Sequence, residues 1–184
     1  MTFDFRLNKP YFCCKITSKT IHKQINMTLE HKKNIFVELG KFLSQFSENE
    51  STRNENVLYN DLFFNDFLDL ILLSQSHNGW YTPEQVYFAV NSWAEALTEE
   101  NLNQWLSAYD LKEIEPKTVG LILAGNIPMV GFHDVISVIL SGNVPLIKLS
   151  SKDQRLLPFL LRKWSEFSEG NIQFELVEKL QNFD

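Results

Sequence analysis

The 184-residue chain carries 17 Lys and Arg against 23 Asp and Glu, a net charge of −6, which argues against a non-specific nucleic-acid binder. At 44% hydrophobic and 22% charged residues the composition is globular, and intrinsic disorder is excluded as the main state. Only 7 glycines accompany 15 phenylalanines, a combination that favours helices packed through bulky side chains.

In chain order, residues 1–26 hold Arg6, Lys9, Lys15, Lys19 and Lys23 against Asp4 alone, so this stretch is +4 and the remainder −10. It reads as a basic extension, with translation properly beginning at Met27. The adjacent Cys13 and Cys14 cannot close the long loop that makes a disulfide useful, which points to a reducing, cytoplasmic setting. No run of 18 apolar residues occurs, so no membrane-spanning helix is expected.

From Thr28 a helical stripe runs through Ile35, Phe36, Leu39, Phe42, Leu43 and Phe46. A polar loop, 47–56, separates it from a second stripe, Phe63, Phe64, Phe67, Leu68, Ile71 and Leu72, closed by His77, Asn78 and Gly79. Thr82 is placed to cap a third helix, with Pro83 at its first position, Gln85 positioned for a capping box and Val86, Val90, Trp93 and Leu97 on its buried face. Thr98 opens a fourth, on which Leu102, Trp105, Leu106 and Tyr109 share a side. These elements define a helical region over 27–115.

At Pro116 glycine becomes more frequent, and a second region, 116–184, begins. Val119 to Ala124 is a short apolar run that suits a strand buried on both faces of a parallel sheet. Gly125 to Gly131 is its outgoing loop, and Phe132, Val135, Ile136, Ile139 and Leu140 follow helical spacing up to Gly142, placed to end that helix in a left-handed conformation. Val144 to Leu149 is a second strand, Ser150 to Pro158 leads into a helix through Phe159, Leu160, Trp164 and Phe167, and Ile172 to Leu176 is a third strand. The fold class is therefore α/β: a helical region followed by β-α-β-α-β, the first part of a Rossmann-like sheet. Ligands of such sheets bind beyond the carboxyl ends of the strands, which singles out the loops 125–131 and 148–153. Neither carries a Walker or G-x-G-x-x-G fingerprint. The four histidines, His22, His31, His77 and His133, lack metal-ligand spacing, so no metal is expected; Asp134 beside His133 complements a helix dipole better than it forms an acid–base pair.

The runs Val119-Gly-Leu-Ile-Leu-Ala-Gly-Asn-Ile-Pro128, Gly131-Phe-His-Asp134 and Ser141-Gly-Asn-Val-Pro-Leu-Ile-Lys-Leu-Ser-Ser-Lys-Asp153, with Trp80-Tyr-Thr-Pro83 and Leu97-Thr-Glu-Glu-Asn101 ahead of them, resemble the acyl-CoA reductases related to the fatty-acid reductase of bacterial luminescence, within the aldehyde dehydrogenase superfamily. The resemblance runs from about Met27 to the end and implies an incomplete aldehyde dehydrogenase-like fold, the amino-terminal part of an NADPH-dependent enzyme that reduces an acyl thioester such as acyl-CoA to an aldehyde and that forms a homo-oligomer when complete. Asn126 and Lys148 lie 22 positions apart, similar to the family's arrangement. By resemblance Asn126 is the catalytic oxyanion donor, and Gly125, Ile127, Pro128, Lys148, Ser150 and Ser151 bind the cofactor. Ser151 stands where many superfamily members have a Glu against the ribose hydroxyls, which implies NADPH over NADH; the alternative is that Ser150 and Ser151 cap the next helix. For Asn126 the alternative is a loop residue capping its own turn, and for Lys148 a solvated lysine. The family's cysteine nucleophile belongs downstream of the first cofactor-binding strands and has no counterpart here, so the chain resembles an amino-terminal portion that is inactive alone. Two other readings stand beside this one: a non-catalytic helical interaction module using residues 28–110, and a stand-alone nucleotide-binding protein. Burial of the apolar stripes within the chain argues against the first.

Overall fold

A computed structural model describes residues 27–111 and 114–181. The basic extension, residues 1–26, lies outside that range. Helix α1 (Leu29–Leu43) begins where Thr28 Oγ1 accepts the His31 N–H at 3.2 Å, satisfying one of the free donors of the first turn. Its stripe, Ile35, Phe36, Leu39, Phe42 and Leu43, is buried, as is Phe46 just beyond. Helix α2 (Asn60–Leu72) runs almost directly into the single turn α3 (Ser74–His77). Helix α4 (Pro83–Ala96) starts with Pro83 in the first turn, and Thr82 Oγ1 accepts the Gln85 N–H at 3.4 Å, one half of the anticipated capping box. Thr98 caps α5 (Glu99–Leu106) in the same way, through the Asn101 N–H at 3.3 Å. Tyr109 does not join the face of Leu102: the helix ends at Leu106 and the ring is exposed.

The second region is β1 (Thr118–Ile122), α6 (Phe132–Leu140), β2 (Val144–Lys148), α7 (Leu156–Phe167) and β3 (Glu175–Leu176). All three strands are parallel in the order β1-β2-β3, with Thr118 opposite Val144 and Ile122 opposite Lys148. Gly142, at φ 92°, lies between α6 and β2, in the left-handed region expected of it. Next to it Asn143 Oδ1 accepts the Lys117 N–H at 3.0 Å and ties the starts of β1 and β2 together.

Three expectations need correction. β1 is not buried on both faces: it is an outer strand that pairs with β2 alone among the described residues, its first four residues are half-buried, and Ile122 is 73% exposed. α7 begins at Leu156, ahead of Pro158, whose missing N–H belongs to the first turn and costs nothing there. β3 is two residues long, not five.

The two regions share one core. Phe36 of α1 meets Trp164 of α7 with ring centres 4.3 Å apart, Phe67 of α2 stacks on Phe159 at 5.3 Å, and Trp93 of α4, half-buried instead of buried, sets its ring edge-on to Phe132 of α6 at 4.9 Å. Each such aromatic contributes a few kcal/mol through area removed from water. The stripes of α1, α2, α4 and α5 are thus largely spent inside the chain, which leaves little for the interaction-module reading.

Candidate functional site

The register that sets Ile122 opposite Lys148 brings the carboxyl ends of β1 and β2 side by side, and the Leu123 N–H donates to the Lys148 carbonyl at 3.0 Å. The two loops singled out in the sequence therefore leave from one edge of the sheet and touch. Gly125 is required at that contact: a Cβ there would lie 2.5 Å from Ser150 Oγ and 3.2 Å from the Asp153 nitrogen. Asn126 and Ile127 are exposed beyond it, and Pro128 is buried. The Asn126 side chain makes no hydrogen bond among the described residues, so it does not cap its own turn. Lys148 ends β2 half-buried and enters no ion pair with a described residue.

Ser150 closes the second loop on itself. Its Oγ accepts the Lys152 N–H at 3.2 Å and its carbonyl accepts the Asp153 N–H at 3.2 Å. Ser151 is exposed at the tip. Neither serine caps α7, which is preceded by Arg155 and has no side-chain cap. The hydroxyl of Ser151 is thereby left facing outward on the same loop as Lys148 and Lys152.

Sequence reasoning missed what braces these loops. The Tyr81 hydroxyl sits 3.1 Å from the Gly125 carbonyl and 3.3 Å from that of Ile127, and donates into that pair. Asn78 Nδ2 donates to the Lys152 carbonyl at 3.2 Å, while its Oδ1 accepts the Trp80 N–H at 3.1 Å. Two residues of the α3–α4 turn thus hold both loops of the sheet. Asp153 is buried beneath them, and its Oδ1 has no hydrogen-bond partner among the described residues. Burial pushes its carboxyl above the usual range, against the opposing pull of the Leu157, Met129 and Arg155 N–H groups and the Tyr81 hydroxyl. Burial and the proximity of Asp153 also push the Tyr81 phenol well up, so it stays a donor. Beside them opens a cleft of about 190 Å³, lined among others by His77, Asn78, Ser151, Lys152 and Arg155, with the Lys152 ammonium 4.7 Å from the centre of the Trp80 ring. The signal for Asn78 and Tyr81 was slight: one read as a helix terminator, and the other stood inside Trp80-Tyr-Thr-Pro83 without an assigned role.

His133 and Asp134 stand in the first turn of α6, directly after the first loop. His133 Nδ1 is 3.9 Å from Asp134 Oδ1, both side chains are exposed, and the imidazole rests near the Trp105 ring. Among the described residues no three His, Cys, Asp or Glu converge as metal ligands, and no helix is long and apolar enough to cross a membrane.

Residues 94–180 match the family model for acyl-CoA reductase (LuxC). The resemblance read from the strand and loop motifs holds over this segment, which starts near the end of α4 and runs through β3. No curated protein matches the chain. The matched segment contains every candidate residue of the two loops, whereas Asn78 and Tyr81, which brace them, lie ahead of it.

Proposed function

We propose that this chain supplies the adenosine-binding half of the cofactor site and the oxyanion donor of an NADPH-dependent acyl-CoA reductase of the aldehyde dehydrogenase superfamily. The family match supports reductase chemistry on an acyl thioester. The observation that carries the cofactor reading is the donor set at the sheet's edge. Lys148, the outward Ser151 hydroxyl and Lys152 stand on one loop, and the loop's only acid, Asp153, is turned into the protein, 5% exposed. Cations and a hydroxyl without a competing surface carboxylate fit a phosphorylated ribose. In this reading Lys148 holds the adenosine ribose and Ser151, helped by Lys152, receives the 2′-phosphate. Gly125, Ile127, Pro128 and Ser150 shape the floor on which the cofactor rests.

Bound there, NADPH supplies the hydride. The Asn126 amide, exposed and without a hydrogen bond among the described residues, donates to the thioester oxygen as negative charge develops on it, a preset dipole that costs no reorganisation during the reaction. The division of residues 27–115 from 116–184 is one of roles, bracing against binding, within a shared core. The superfamily's route passes through a cysteine that accepts the acyl group. Cys13 and Cys14 precede the matched segment and are not assigned that role, so turnover by these 184 residues alone is not expected; the enzyme is read as a cytoplasmic homo-oligomer.

Ser151→Glu tests the assignment. A carboxylate facing a phosphate in a partly desolvated site lowers NADPH affinity on the order of a hundredfold more than NADH affinity. Equal losses for the two cofactors overturn the 2′-phosphate assignment. Mixing the chain with acyl-CoA and NADPH is expected to leave the nicotinamide absorbance unchanged; turnover abolished by Cys13→Ala or Cys14→Ala overturns the placement of the nucleophile.

A further inference from the structure

Helix α7 buries a lysine. Lys163 shares the inward side with Phe159, Leu160 and Trp164 and is 0% exposed. Its ammonium nitrogen lies among four ring faces drawn from separate parts of the chain: Phe42 of α1 at 4.5 Å, Tyr59 at 5.1 Å, Phe63 of α2 at 4.5 Å and Phe167 at 4.8 Å from the ring centres. One hydrogen bond anchors it, to the Leu58 carbonyl at 2.7 Å. That carbonyl belongs to the turn that starts α2, where Tyr59 takes a left-handed φ of 60° and offers no side-chain cap. The turn is fastened to α7 through Lys163.

Among the described residues no carboxylate completes the cage, and none forms an ion pair with Lys163. The charged groups of the surrounding elements are engaged elsewhere or exposed. On α1, Lys41 and Glu38 pair with each other; ahead of α2, Arg53 pairs with Asp61; on α2, Asp66 is exposed. The cage's one ring with an ionisable group is Tyr59; on α7 the Glu166 carboxylate, one turn on, favours the charged lysine, and Arg162 of α7 and Asp69 of α2 are exposed. A neutral amine suits such a place, with one N–H on the carbonyl and the remainder against carbon. An ammonium brings three N–H groups to one acceptor, and the ring faces offset only part of its lost hydration. Burial lowers the pKa to about 7, with Glu166 opposing.

We propose that this cage is a proton-sensitive latch: Lys163 holds the Leu58–Tyr59 turn against α7 as a neutral amine and releases it on taking up a proton. The latch sits about two helical turns along α7 from the cofactor loops, and its behaviour does not depend on what those loops bind.

Hydrogen–deuterium exchange of the 57–63 segment in the full chain, corrected for the intrinsic pH dependence of exchange, tests it. Between pH about 10 and pH about 7 the wild-type segment should open up to about tenfold more for each unit of acidification, because the released lysine binds a proton that the latched amine does not, and the rise should level off below pH about 7, whereas Lys163→Met should be flat throughout. A wild-type profile as flat as that of Lys163→Met overturns the latch. So does protection that grows on acidification, which would mean the rings hold the ammonium. Should Lys163→Met fail to fold, the Lys163 Cε resonance of the wild type decides: a titration midpoint near 7 supports the latch, and one close to the ordinary lysine value of about 10.4 overturns it.

Discussion

The helical region seals its apolar side chains: Phe36, Leu39, Phe42, Phe67, Val86 and Leu102 reach zero exposure through contacts with α6, α7 and one another. The sheet region leaves an edge open, with Ile122 largely exposed on β1 and Asn126, Ile127 and Ser151 standing clear on the loops beyond. The difference assigns the work. Packed helices provide rigidity and the open edge is where the proposed chemistry is placed, joined by two polar anchors, Asn78 and Tyr81, that reach from the α3–α4 turn to the loop carbonyls. A loop rich in exposed polar groups needs such external support to hold a geometry.

Substitutions can break that division. Trp164→Ala, in the shared core, should cost the most, about 3–5 kcal/mol of unfolding free energy by urea titration, because it empties the space between Phe36 and Phe132. Part of that loss is offset, since the indole N–H has no acceptor among the described residues. Gly125→Ala should cost about 1–3 kcal/mol by driving a Cβ into Ser150, and it should disturb cofactor binding beyond its effect on stability. Tyr81→Phe should cost about 0.5–1.5 kcal/mol yet raise exchange at residues 125–128 more than in any helix, since it removes the bond to the loop carbonyls and little packing. A uniform rise would show that Tyr81 supports the core and not the loop.

The smallest effect is linked to pH. The Asp153 carboxyl is raised in the folded state, so its contribution to stability is full below the unfolded value and is lost as pH rises through the folded one. Stability differences between wild type and Asp153→Asn, measured from pH 4 to pH 8, should therefore shift in favour of Asn as pH increases. A difference that is constant across the range would show that the carboxyl is not proton-linked to folding.

Local signals were well written in the sequence. Thr28, Thr82 with Pro83, and Thr98 mark helix starts that the structure retains, Gly142 marks a helix end, and the apolar runs around Leu121 and Leu146 mark adjacent parallel strands. What stayed hidden depends on distant partners. Periodicity shows that Ile122 belongs to a strand but not that the strand is an outer one, and it gives no hint that Lys163 would be received by rings from residues 42, 59 and 63. The loop residues 125–128 and 148–151 were legible through family resemblance, and their juxtaposition follows from the strand register. Their braces were not, because Tyr81 and Gly125 are 44 positions apart and Asn78 and Lys152 are 74 apart.

The most direct test of the sheet edge as a cofactor site is a fluorescence titration of the full chain with NADPH, repeated on Lys148→Ala. Saturable binding that weakens at least about tenfold in Lys148→Ala, with a nearly unchanged unfolding midpoint, is the expected result, since a half-buried lysine with no ion pair to a described residue contributes little to folding and a charge-assisted contact contributes about 1.5–3 kcal/mol to binding. Equal NADPH affinity in the two proteins, or no binding to either, would contradict the account.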